Sequence, residues 1–76
     1  MEQLSIDIGN RIVELRKQKY LSQEKLAYMA EIDRTYMTGI ERGKRKISVF
    51  ILDKIVKALD TNLSDFFNDK RFVDGR

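Results

Sequence analysis

Arg34, Thr35, Tyr36 and Thr38 lie close together, and Arg42, Lys44, Arg45 and Lys46 follow shortly after them. Guanidinium and hydroxyl groups at this spacing suit non-covalent recognition. An arginine fork can take O6 and N7 of guanine together, and a threonine is small enough to approach a phosphate or a thymine methyl. Each residue also has a plainer reading: Arg34 as a solvated first-turn arginine, Tyr36 as a ring packed under its own element. The chain offers little for covalent chemistry. It has no cysteine, which excludes disulfides and thiolate metal sites. It has no histidine either, so the commonest general base and metal ligand is missing. Without a glycine-rich phosphate loop or clustered carboxylates, an enzyme has nothing from which to build a site, and neither a metal nor a cofactor is expected.

Side chains like these act only when a rigid element holds them. Residues 22–46 read as two short helices joined by a tight turn and followed by a basic loop. Ser22 can cap the first helix through its hydroxyl. Gln23, Glu24 and Lys25 form its first turn, with Glu24 and Lys25 solvated, while Leu26, Ala27 and Ala30 make a small apolar face. Asp33 can cap the second helix, which runs to about residue 42 with Met37 and Ile40 on one side. Leu21 is placed to staple against Leu26, and Ile32 against Met37. Only Glu31 and Ile32 separate the helices, too short a link for parallel packing, so the pair predicts a helix-turn-helix. Arg34, Thr35, Tyr36 and Thr38 then project outward from the start of the second helix. Gly43 is a fitting terminator, and the basic residues beside it suit the negative end of the helix dipole. A basic run is most often a solvated loop. Directly after a recognition helix, this one is placed to grip phosphates.

Before this motif, Ile8, Ile12 and Leu15 recur at helical spacing, predicting an amphipathic helix over residues 5–19 capped by Ser5 or Asp7. Tyr20 and Glu31 occupy the short connections, where a left-handed backbone would cost a non-glycine residue about 1 kcal/mol. After the motif, Leu52, Ile55, Val56 and Leu59 form the core stripe of a fourth helix over residues 47–60, capped by Ser48 and stapled by Ile47 onto Leu52. Asn62 suits the left-handed closing position. Ser64 can cap a fifth short helix over residues 65–69 that carries Phe66 and Phe67. Phe72 and Val73 follow in a tail that gains nothing from them if it frays; they pack back on the core or lie in a subunit interface.

The chain of 76 residues makes one domain over residues 1–76. A domain this small buries only about 60% of its unfolded surface, so a partner subunit would help it. Fifteen basic and twelve acidic residues leave a net charge of +3, with a pI near 9.3. That total is a weak hint of a polyanionic partner; where the charge sits says more. No apolar run is long enough to cross a membrane. Residues 1–10 lack the basic start and apolar core of a signal peptide. A cytoplasmic protein with no membrane association and no small-molecule ligand is expected.

Five helices in this order, with the motif at the second and third, resemble the phage-repressor-like (Xre type) helix-turn-helix family: an all-α, compact, repressor-like DNA-binding domain. The resemblance runs from about residue 8 to 67. It rests on Ile12, Leu15 and Arg16, the run Ser22-Gln23-Glu24-Lys25-Leu26-Ala27, Ile32, Tyr36, Ile40-Glu41-Arg42-Gly43, and residues 52–59. Asp33-Arg34-Thr35-Tyr36 with Gly39-Ile40-Glu41-Arg42 is similar, more specifically, to the small controller proteins of restriction–modification systems. The resemblance implies a phosphate contact for Gln23, major-groove positions for Arg34, Thr35, Tyr36 and Thr38, and an ion pair between Arg16 and Glu41. The family usually has glycine where this chain has Tyr20 and Glu31, and often proline where it has Ile47. Those departures bear on the turns and not on the DNA-facing side chains.

A lone motif of this size covers only about 4–6 base pairs, so a twofold homodimer on palindromic double-stranded DNA is expected, with recognition helices about 34 Å apart. The fifth helix and tail, residues 64–76, would form the dimerisation element through Phe66, Phe67, Phe72 and Val73. A controller regulating its own gene and the endonuclease gene is the leading reading. A phage-type repressor, or an antitoxin-like regulator that also binds a protein, is the alternative.

Overall fold

Four helices opened by side-chain caps, and four closed through a left-handed residue, account for the path of the chain. The computed structural model describes residues 2–73. Among these residues there are six helices and no strand: α1 (Gln3–Gln18), α2 (Gln23–Ala30), α3 (Arg34–Glu41), α4 (Val49–Ala58), α5 (Leu63–Phe67) and α6 (Lys70–Val73). The all-α class is the expected one, with a sixth helix where a tail was expected.

Three starts are capped as expected. Ser22 Oγ accepts the Lys25 N–H at 3.0 Å, Asp33 Oδ2 that of Tyr36 at 3.2 Å, and Ser48 Oγ that of Ile51 at 3.1 Å. Caps of this kind are each worth about 1 kcal/mol. The start of α5 corrects the expectation. Asn62 Oδ1, not Ser64, supplies the cap, accepting the Asp65 N–H at 2.8 Å. Capping requires extended backbone, and Asn62 has φ −138°, so it is not left-handed. Asp60 takes that position instead, at φ 60°.

Tyr20 and Glu31 do take the left-handed conformation, both at φ 58°. The residue after each left-handed position bonds back to close its helix: Leu21 to Arg16 O, Ile32 to Ala27 O, Thr61 to Val56 O, and Lys44 to Gly39 O after Gly43. Carbonyls left orphaned by each helix end are satisfied this way, which offsets the backbone strain.

Helix α1 begins earlier than its sequence pattern predicts. Neither expected cap is used: Ser5 and Asp7 are buried inside the helix, where Gln3 Nε2 donates to Asp7 Oδ1 at 3.0 Å. The cause is tertiary. Gly43, at φ 76°, lies so close to the first turn that a Cβ there would sit 2.8 Å from Ile6 Cα. Gly9 lets α1 meet the end of α3; a Cβ on it would sit 2.5 Å from the Ile40 carbonyl oxygen. Packing against α3, not a cap, holds the first turn in helix.

The core is made of Ile12, Leu26, Met37, Ile40, Leu52, Ile55, Val56, Leu59 and Phe66, with the small side chains of Ala27 and Ala30 letting α2 pack closely. Burying each large side chain contributes about 1.5–3 kcal/mol. The chain end returns to α1. Arg11 donates from Nε to the Phe66 carbonyl at 2.9 Å and from Nη2 to that of Asp65 at 3.0 Å, while Arg71 Nη1 donates to Glu14 at 3.0 Å. Phe66, Phe67 and Phe72 form an aromatic trio with centroids 4.9–6.0 Å apart. Phe72 therefore packs back on the core.

Candidate nucleic-acid interface

Met37, Ile40 and Glu41 fasten α3 to the core, leaving the side that begins at its N-terminus free. Arg34 and Thr35 are exposed there, and Tyr36 and Thr38 are half-buried at the edge. The Arg34 side chain is 66% exposed, and the Glu24 carboxylate is 3.9 Å away across solvent. Such a pair contributes little and gives way readily.

Below this face lies a buried charge pair. Arg16 grips Glu41 with two parallel bonds, Nε to Oε2 at 2.8 Å and Nη2 to Oε1 at 2.9 Å. Only 13% of one side chain and 5% of the other is exposed. Arg16 Nη1 also donates to the Leu21 carbonyl at 3.0 Å, tying α1, the turn before α2 and the end of α3 together. Gln23 joins the same group, its Nε2 donating to Glu41 Oε1 at 2.9 Å. The Thr38 hydroxyl, 2.6 Å from Gln23 Oε1, donates to it and also lies 3.0 Å from the Arg34 carbonyl. Thr38, expected among the major-groove positions, turns its hydroxyl toward α2.

Around Gly43 the basic residues divide. Arg42 and Lys44 are exposed. Lys46 pairs with Glu2 at 3.2 Å, with both side chains largely in solvent. Arg45 behaves differently. It crosses back over α3, its chain lying 3.1 Å from where a Cβ on Gly39 would be, and its guanidinium stands 5.3 Å over the Tyr36 ring. That cation–π stack ties Arg45 to the recognition helix. The sequence offers one signal for it, a glycine in mid-helix where a side chain would crowd the crossing.

The expected dimer residues do not stand equally. Phe66 is 0% exposed and belongs to the core of its own protomer, so it has no surface to give a partner. Of the adjacent phenylalanines on a short helix, only one could face inward, and the sequence does not say which. Phe67 and Phe72 are half-buried and Val73 is 68% exposed. Sequence reasoning gave no role to several exposed apolar residues, among them Val49 and Phe50, which open α4 off the core stripe; Phe50 is 80% exposed. Among the described residues, no group of acidic side chains could hold a metal ion. No helix is long and apolar enough to cross a membrane.

A helix pair on a short turn, presenting arginine and hydroxyl groups from a clamped second helix, defines a class. The helix-turn-helix family profile matches residues 12–66, and the chain belongs to that family. Among curated proteins it is similar to the control protein C.MunI of Mycoplasma sp, with 44% identity over 70 residues that cover 91% of this chain and 95% of that protein. Among solved structures it resembles the restriction–modification controller protein C.AhdI from Aeromonas hydrophila, with a TM-score of 0.79 and 41% identity over 83% of this chain and 96% of that one. It also resembles C.Esp1396I as a tetramer in complex with its natural 35 base-pair operator, with a TM-score of 0.83 and 36% identity over 88% of each chain.

Proposed function

We propose that this chain is a restriction–modification controller protein: a transcriptional regulator that binds palindromic operator DNA as a dimer and controls its own gene and the endonuclease gene. It works by binding alone. The observation that carries this reading is the exposed start of α3, with Arg34 and Thr35 free and Arg45 drawn across to Tyr36, on a helix locked by Arg16 and Glu41. Arg34, Thr35 and Tyr36 face bases, where a bidentate arginine–guanine contact is worth about 1–3 kcal/mol of discrimination. Gln23, Arg42, Lys44, Arg45 and Lys46 hold phosphates and set the register. Phe67, Phe72 and Val73, supported from beneath by Phe66, form the dimer face. Similarity to control proteins over nearly the whole chain supports the assignment.

Selection of bound fragments from random DNA tests it. The expected product is a palindrome whose half-sites lie about one helical turn apart. Recovery of unrelated sequences at every round would overturn the reading.

A further inference from the structure

We infer that Thr38 is a positioning residue for Gln23: through its hydroxyl it aims the Gln23 amide at a DNA phosphate, and it does not read a base. The inference rests on the DNA-binding reading above and on hydrogen-bond chemistry. A carboxylate without a proton can only accept. Glu41 is such an acceptor, held by both arms of Arg16, so the end of the Gln23 amide facing it at 2.9 Å must be the nitrogen. A planar amide then has its oxygen toward Thr38, and Oε1 lies 2.6 Å from the Thr38 oxygen.

A threonine hydroxyl has one proton. Two acceptors stand near it, Gln23 Oε1 at 2.6 Å and the Arg34 carbonyl at 3.0 Å. Both are carbonyl oxygens that only accept; Gln23 is the nearer, so the proton goes chiefly there. Gln23 is thereby held at both ends, by Glu41 from one side and Thr38 from the other. Its second amide N–H is left for an external acceptor, from a half-buried side chain in the first turn of α2, where the helix dipole favours an anion. An unanchored glutamine would have to freeze several rotors on binding; this one is ordered in advance. The chain Arg16–Glu41–Gln23–Thr38 thus links the buried ion pair to a point on the DNA backbone.

A phosphate contact and a base contact fail differently, and an uncharged donor has a signature of its own. Binding is titrated at several salt concentrations on a fragment selected by the wild-type protein and on random DNA. Thr38→Val should weaken both about tenfold, the size of one hydrogen bond to a charged group, and leave their ratio unchanged. The slope of log affinity against log salt should not move, because no cation is lost. Gln23→Ala should do the same, and the double variant should lose no more than Gln23→Ala alone. Thr38→Ser keeps the hydroxyl and should restore binding. A loss confined to the selected fragment would make Thr38 a base reader and overturn the inference. So would losses that multiply in the double variant, or a Thr38→Ser that binds no better than Thr38→Val. If the wild-type chain binds neither DNA, the functional reading itself fails, and that result is distinct from all the others.

Discussion

Arg34 and Lys44 are both exposed cations near α3, yet they predict opposite behaviour. Arg34 leaves the first turn of the recognition helix, its pair with Glu24 a loose 3.9 Å surface contact. A base reader of this kind should cost about 1–3 kcal/mol on operator DNA when cut to alanine, with little effect on random DNA. Lys44→Ala should weaken both DNAs alike and flatten the salt slope by about one unit, or about two if both subunits make the contact. Titrations on two sequences check this; equal loss on both DNAs from Arg34→Ala would make Arg34 a phosphate clamp. The site was only partly legible at this scale. Residue types marked Arg34 and Thr35, since exposure at a helix start follows from the period of the helix. Thr38 and Arg45 could not be placed that way. What each side chain does depends on a partner on another element, Gln23 for one and the Tyr36 ring for the other.

At the scale of elements, α3 is set by the buried pair beneath it. Removing one partner of such a pair leaves an uncompensated charge and costs about 3–5 kcal/mol. Glu41→Ala should therefore lower the melting temperature by roughly 10 °C or more, while Glu24→Ala, on the surface, should barely change it. Equal and negligible effects would remove the argument. A second clamp holds the chain end. Hydrogen bonds from Arg71 and then Arg11 keep the Glu14 carboxyl below its ordinary value. A lowered folded pKa means stability that is present above the unfolded value and lost as pH falls through the folded one. The melting difference between the wild type and Glu14→Gln should thus be largest near neutral pH and shrink below about pH 4.3. A constant difference down to pH 3 would show that Glu14 does not hold the tail as an ion. Helix starts at Ser22, Asp33 and Ser48 were legible because a cap is local. Ser5 and Asp7 misled because α1 is extended by contact with Gly43 and the end of α3, which no local pattern records. Asn62 misled because the same residue type suits both a left-handed closure and a cap.

At the scale of the molecule, the order of helices and the core stripe of α4 were readable from apolar spacing, whereas the outer surface was not. Adjacent Phe66 and Phe67 gave no hint which was core, and Phe50 drew no notice because it falls outside the stripe. A chain this small gains both stability and specificity from a twin. On the proposed dimer face of Phe67, Phe72 and Val73, the twin would sit at the chain end and the recognition helices would reach successive turns of one groove face. Sedimentation of the protein alone and on the selected palindrome tests this most directly. A twofold dimer at tens of micromolar, and two subunits for each palindrome, is the predicted result; a monomer in both conditions would contradict the account.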